Sequence, residues 1–152
     1  MDALTENILL GDSGEPPAMI RAGAQLLVDL RAETLPTRYK VPVAHFPLED
    51  GAPDQEKIIL EAASRIQEAV QAGQKVGIFC QAGVSRTAAV GIAYLMLEGE
   101  SLAEATAHLR SARPQALPAM GLWHSLEEIE RRLISASVSS GTSFSSDMEA
   151  SL

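Results

Sequence analysis

Cys80 is the single cysteine of this 152-residue chain, and Gly83, Arg86 and Thr87 follow it at fixed distances in Ile78-Phe79-Cys80-Gln81-Ala82-Gly83-Val84-Ser85-Arg86-Thr87. The stretch reads as an apolar strand, a short loop and the start of a helix. Such a turn can direct its backbone N–H groups at a tetrahedral oxyanion held above the sulfur. The Cys-x5-Arg spacing lets the chain curl once, so the guanidinium returns to the cup that holds the thiol and can grip two oxygens of the anion. Gly83 supplies the backbone freedom that turns successive N–H groups inward. A helix beginning near Thr87 adds its positive end, and together with Arg86 it favours the thiolate, the nucleophilic form of cysteine. The chemistry implied is attack of sulfur on the phosphorus of a bound phosphoryl group.

Around this segment, strand and helix signals alternate as an α/β domain requires. Asn7 to Leu10 and Gln25 to Leu30 are short apolar runs near Gly11 and Gly23, which suits buried strands, and Val41 and Val43 alternate with polar or small neighbours in a third. From Pro53 to Ala72 the residues Ile59, Ala62, Ala63, Ile66, Ala69 and Val70 share one helical face, and Gly73 ends the helix. Lys75 to Phe79 is then the central strand. It places Cys80 at its carboxyl end, where open α/β sheets bind ligands. Three helices should follow. The first, Thr87 to Glu98, is apolar nearly all round. The next starts at the capping box Ser101-Leu102-Ala103-Glu104 and stops before Pro114. The last carries a stripe of Leu122, Leu126, Ile129 and Leu133, with Met120 and Trp123 read as core residues. The fold class expected is a single α/β domain over residues 1–134, with a central mostly parallel or mixed sheet of about four to five strands flanked by helices. Residues 135–152 are Ser-rich and too polar to bury apolar area, so a disordered tail is expected there.

Composition narrows the class. A content of 46% hydrophobic and 21% charged residues is ordinary for a globular domain. One cysteine excludes an internal disulfide, and a thiolate nucleophile needs a reducing compartment, so a cytoplasmic location is expected. The acidic start Met1-Asp2-Ala3-Leu4-Thr5-Glu6 is unlike a signal peptide, and the longest apolar run, Ala88 to Leu97, is about half a membrane span. A net charge of -8 argues against nucleic acid and anionic membranes as partners. His45, His108 and His124 show no ligand spacing, so no metal or other cofactor is expected.

The wording Gln81-Ala82-Gly83-Val84-Ser85-Arg86-Thr87, with Ala93-Tyr94-Leu95-Met96 after it, resembles the signature loop of the cysteine-dependent protein tyrosine phosphatases in their dual-specificity branch. The similarity runs from Asn7 to Leu133. It implies a protein tyrosine phosphatase-like fold and a monomeric enzyme that hydrolyses phosphotyrosine and phosphoserine or phosphothreonine in a phosphorylated protein substrate, through a phosphocysteine intermediate. Cys80 would be the nucleophile, and Gln81, Ala82, Gly83, Val84, Ser85 and Arg86 would hold the phosphate. Thr87 corresponds to the hydroxyl residue that stabilises the departing sulfur. Phe46-Pro47-Leu48-Glu49-Asp50-Gly51 resembles the segment carrying the family's general acid, which assigns that role to Asp50, with Glu49 and Asp54 as rivals. The chain also departs from the family. Phe79 stands where a histidine commonly precedes the nucleophile, Pro118-Ala119 replaces Pro-Asn, and Leu122 and Ser125 replace Phe and Gln in the last helix. These changes remove familiar support around the loop and leave Cys80, Arg86 and Asp50 in place. Two other classes use similar parts. A pseudophosphatase would bind phosphate without turnover, and sulfurtransferases or arsenate reductases also use cysteine loops; the Gly-x-Ser-Arg-Thr wording and the upstream Asp50 disfavour both of the latter.

Overall fold

The computed structural model of the chain describes residues 1–34 and 37–138 in full, and beyond them only the course of the final helix. Ten elements follow one another: β1 (Asp2–Thr5), β2 (Ile8–Gly11), α1 (Pro16–Arg21), β3 (Leu26–Arg31), β4 (Val43–Leu48), α2 (Glu56–Gln71), β5 (Val76–Phe79), α3 (Arg86–Leu97), α4 (Leu102–Ala112) and α5 (Met120–Ser151). The strands form one five-stranded sheet in the order β1-β2-β5-β3-β4. β1 pairs antiparallel with β2, and every other pairing is parallel. The expected α/β domain with a mixed sheet is therefore present, with β5 at its centre.

The central strands are apolar along their whole length because both faces of the sheet are covered. Alternate side chains go to opposite sides. Ile8, Leu10, Val28 and Ile78 join the larger core beneath α2, α3, α4 and α5, whereas Leu9, Leu27 and Phe79 join a smaller one with Met19 of α1. α2 buries Ile59, Ala62, Ala63, Ile66 and Ala69, the stripe its periodicity predicts. α3 is buried from Arg86 to Met96, which is why it lacks a polar face. Both halves of the α4 capping box form, Ser101 N–H donating to Glu104 Oε1 at 2.9 Å and Glu104 N–H to Ser101 Oγ at 3.1 Å.

Three expectations need correction. β1 and α1 carry no strong sequence signal: β1 turns only Leu4 fully inward, and α1 opens on Pro16-Pro17, which serve the first turn of a helix as readily as a loop. Met120 is 70% exposed, because it lies two residues before Leu122 and so on the opposite side of α5 from the buried stripe; Trp123 is half-buried at the edge of the core. Of the run expected to be a disordered tail, residues 135–151 continue α5, with Ser137 and Val138 lining a groove beside Met96 and Leu133; Leu152 lies outside the described residues.

Candidate active site

β5 ends at Phe79, and Cys80 opens the loop that leads into α3. Gly83 has φ +68°, and a Cβ there would lie 2.6 Å from the Gly11 carbonyl oxygen and 2.7 Å from the Arg113 guanidinium, so both backbone and space demand glycine. Three of the loop's carbonyls are satisfied from outside it. Gln81 O accepts from Ser13 N–H at 3.2 Å, Val84 O from Leu117 N–H at 3.0 Å, and Gly83 O from Arg113 Nε at 2.7 Å. Its amides, from Gln81 to Ser85, donate to no acceptor among the described residues. α3 begins at Arg86, one residue earlier than expected, and Ser85 makes no side-chain cap to it; the Ser85 hydroxyl instead accepts from Ala119 N–H at 2.8 Å. The positive end of α3 and the row of free amides are therefore left facing one concavity, an arrangement suited to an anion.

The sulfur is at the start of this loop, with Cys80 only 2% exposed. The Thr87 hydroxyl donates to Cys80 Sγ at 3.1 Å. Arg86 is also buried, and its Nη1 donates to Glu33 Oε2 at 2.8 Å and to the Leu48 carbonyl at 3.2 Å. Its Nε has no hydrogen-bond partner, and the Asp50 carboxylate stands 3.7 Å away. Burial by itself would pull the guanidinium down; the Glu33 hydrogen bond and the surrounding negative charge outweigh it and raise it above its ordinary value. The same hydrogen bond from Arg86 holds the Glu33 carboxyl below the usual carboxylate range. Ala32, Glu33, Glu49, Asp50 and Arg86 line an open cleft of about 230 Å³ at this point. Asp54, the other rival for the acid, does not line it.

The Asp50 segment is clamped from behind. Gln55 is buried just ahead of α2; its Nε2 donates to the carbonyls of Glu49 and Ala52, both at 2.7 Å, and its Oε1 accepts from Glu49 N–H at 2.8 Å. Gln55 N–H in turn donates to Ser125 Oγ of α5 at 3.1 Å. Gly121 lets α5 approach so closely that a Cβ there would sit 2.5 Å from the Ala52 carbonyl oxygen.

Residues 21–132 match the dual specificity phosphatase catalytic domain family. The chain belongs to this family. Human dual specificity phosphatase 28 is 35% identical to it over 128 residues, covering 80% of this chain and 70% of the human protein. Among solved structures, human DUSP28 superposes with a TM-score of 0.81 at 31% identity, covering 90% of this chain and 99% of that one. A mouse dual specificity phosphatase crystallised with zinc tungstate superposes with a TM-score of 0.82 at 29% identity, covering 90% of each chain. The fold and the protein phosphatase class follow from these matches.

Within a dual specificity phosphatase, the departures noted in the sequence leave the loop supported by other means. Ala119, in place of the family's asparagine, still braces Ser85 through its backbone N–H. Ser125, in place of glutamine, accepts from the Gln55 backbone N–H, so the α5 side chain at this position still holds the backbone beside the acid segment, while the Gln55 side chain turns to Glu49 and Ala52. Leu122 fills the core completely. Phe79 is fully buried in the smaller core, and the Arg31 guanidinium, paired bidentately with Asp29, lies 5.2 Å above its ring centroid. Three residues around the site escaped the sequence reading: Glu33, Gln55 and Arg113. Arg113 reads as a helix-end cation before Pro114, yet it is 5% exposed and connects Gly83 O to Asp2, whose Oδ2 accepts from its Nη1 at 2.7 Å.

Proposed function

We propose that this dual specificity phosphatase hydrolyses phosphotyrosine and phosphoserine or phosphothreonine in protein substrates by double displacement through a phosphocysteine. The observation that carries this reading is the loop itself: its amides 81–85 donate to no acceptor among the described residues, Arg86 Nε has no hydrogen-bond partner, and the buried Cys80 sulfur accepts from the Thr87 hydroxyl. A mouse relative is crystallised with zinc tungstate, whose tetrahedral oxyanion is similar to phosphate, in keeping with a phosphoryl substrate for this chain.

In the first step the Sγ lone pair attacks phosphorus while Arg86 and the amides of residues 81–85 hold the non-bridging oxygens, whose charge grows in the transition state. The P–O bond to the substrate breaks, and Asp50 transfers its proton to the departing oxygen. In the second step Asp50 takes a proton from water as the water oxygen attacks phosphorus, and the S–P bond breaks. The electron pair returns to sulfur, where the Thr87 hydroxyl hydrogen bond receives it. All these groups come from one chain, which is compatible with action as a monomer, and a thiolate nucleophile suits the reducing cytoplasm.

Hydrolysis of p-nitrophenyl phosphate and of phosphopeptides by wild type, Cys80→Ser and Asp50→Asn tests the assignment. Wild type should turn over, Cys80→Ser should lose all measurable rate, and Asp50→Asn should lose most of its phosphopeptide rate. Binding without turnover by wild type would make the protein a phosphate binder, and full rate in Asp50→Asn would move the acid to Glu49.

A further inference from the structure

We propose that the mouth of this site selects phosphorylated residues flanked by basic side chains. The inference rests on the phosphatase reading above and adds the class of protein segment that reaches the cup.

The cleft over Arg86 is lined by the carboxyl groups of Glu33, Glu49 and Asp50 against one guanidinium; with Asp50 holding the proton it donates, Glu33 and Glu49 leave a formal excess of one negative charge before any phosphate arrives. The carboxylates are accessible: the Glu33 and Asp50 side chains are 48% and 57% exposed, and Glu49 is exposed as well. A fourth carboxylate, Asp12, adjoins the loop from the β2 side, where Ser13 N–H is bonded to Gln81 O. An acidic cluster alone would mean little more than solubility. Here it surrounds Arg86, which lines the cleft and whose buried Nε has no hydrogen-bond partner, only the Asp50 carboxylate 3.7 Å away, and is suited to a phosphate oxygen.

Once a phosphate occupies that donor, Arg86 is shared between the phosphate and Glu33, and no other cation among the described residues lines the cleft. The carboxylates of Glu33 and Glu49 then face whatever stands beside the phosphoresidue. Acidic neighbours, or a second phosphate, meet like charge in a confined mouth; lysine or arginine neighbours meet opposite charge. The Arg86 hydrogen bond keeps Glu33 ionised through the neutral range, so the mouth does not lose this charge at working pH. Exposed cations do exist elsewhere. Arg21, Arg38 and Lys40 surround a separate cleft with Pro17, Ile20 and Tyr39, and it shares no lining residue with the mouth.

The experiment compares two phosphopeptides of one core sequence, with lysines or glutamates on both sides of the phosphoresidue, and p-nitrophenyl phosphate as a substrate without flanks. At low ionic strength kcat/KM should favour the lysine peptide roughly tenfold, and screening by concentrated salt should shrink the ratio to within about twofold. In Glu49→Lys the ratio of the two peptides should collapse toward one, with p-nitrophenyl phosphate reporting any change in the chemistry itself. Equal rates for the two peptides at low salt would overturn the inference while leaving the phosphatase reading intact. Preference for the glutamate peptide would also overturn it and would pass recognition to the Arg21, Arg38 and Lys40 cleft. If no substrate is turned over, the phosphatase reading fails separately, and the relative affinity of Cys80→Ser for the two peptides decides the selectivity by the same criterion.

Discussion

Gln55 offers the sharpest separation between holding the fold and holding the acid. Its side chain is nearly inaccessible and makes three hydrogen bonds, two donated to the Glu49 and Ala52 carbonyls and one accepted from Glu49 N–H. In Gln55→Ala all three are lost. At about 1 kcal/mol net for each, the upper bound is ~3 kcal/mol, but Glu49 and Ala52 border solvent and water can replace part, so a loss of about 2 kcal/mol is expected. For a domain of this size that lowers Tm by roughly 4–8 °C. The effect on rate is a separate quantity. Asp50 is carried between the clamped residues 49 and 52, and loosening them lets its carboxyl wander from the leaving oxygen, with an expected loss of roughly tenfold. That loss must depend on the leaving group. Phenolate needs the proton and nitrophenolate hardly does, so phenyl phosphate should lose about tenfold and p-nitrophenyl phosphate less than about threefold. The assay is kcat on both esters well below the variant's melting temperature. Equal losses on the two would show that Gln55 supports the site as a whole rather than the acid, and no loss on either would refute the clamp.

Three further outcomes follow from the same contacts. Gly83→Ala should cost more than about 2 kcal/mol in thermal melts and abolish inorganic phosphate binding by calorimetry, since the added Cβ meets the Gly11 carbonyl at 2.6 Å in a left-handed backbone; undiminished phosphate binding would contradict the cup. Thr87→Val removes the hydroxyl 3.1 Å from sulfur, so phosphocysteine breakdown should slow about tenfold or more and rapid quench should reveal a burst of nitrophenol; a linear time course at unchanged rate would remove Thr87 from the mechanism. Tyr94 is pushed up to about 12 by burial and by its hydrogen bond to Glu98. Because the folded value lies above the unfolded one, its contribution to stability is complete below about pH 10 and is lost as pH rises toward 12, so urea midpoints should fall across that window in wild type and fall less in Tyr94→Phe.

What the sequence made legible is what is local. Cys80, Gly83, Arg86 and Thr87 lie within eight residues, and a strand running into a helix leaves that loop few ways to fold, so its chemistry can be read from spacing. The stripes on α2 and α5 are equally local, repeating every three or four residues. The supports of the site are not. Arg113 and Asp2 meet across 111 residues, Gln55 and Ser125 across 70, and Arg86 and Glu33 across 53. Arg113, Gln55 and Glu33 are polar residues at a helix end or in a loop, where solvent is the ordinary expectation, and only the fold brings them to their partners. β1 escaped for a related reason: an edge strand with one inward side chain has almost no hydrophobic pattern to read.

Phe79 shows where reading by resemblance and reading by structure part. Against the family's wording, a missing histidine before the nucleophile looks like lost support for the loop. In this fold the position points away from the loop amides, into the smaller core with Leu9, Met19 and Leu27, where its ring also receives the Arg31 guanidinium. The loop is held instead through its carbonyls, by Ser13, Arg113 and Leu117, and through Ser85 by Ala119. An imidazole in place of this ring would lose apolar burial and the cation contact, and would leave a ring N–H seeking a partner beside a guanidinium already committed to Asp29. Phe79→His should therefore cost about 2–4 kcal/mol of stability, read as a lower denaturant midpoint at unchanged slope. A midpoint at or above that of wild type would mean that the imidazole finds a partner near the loop, and that the support attributed here to Arg113 and its neighbours is incomplete without it.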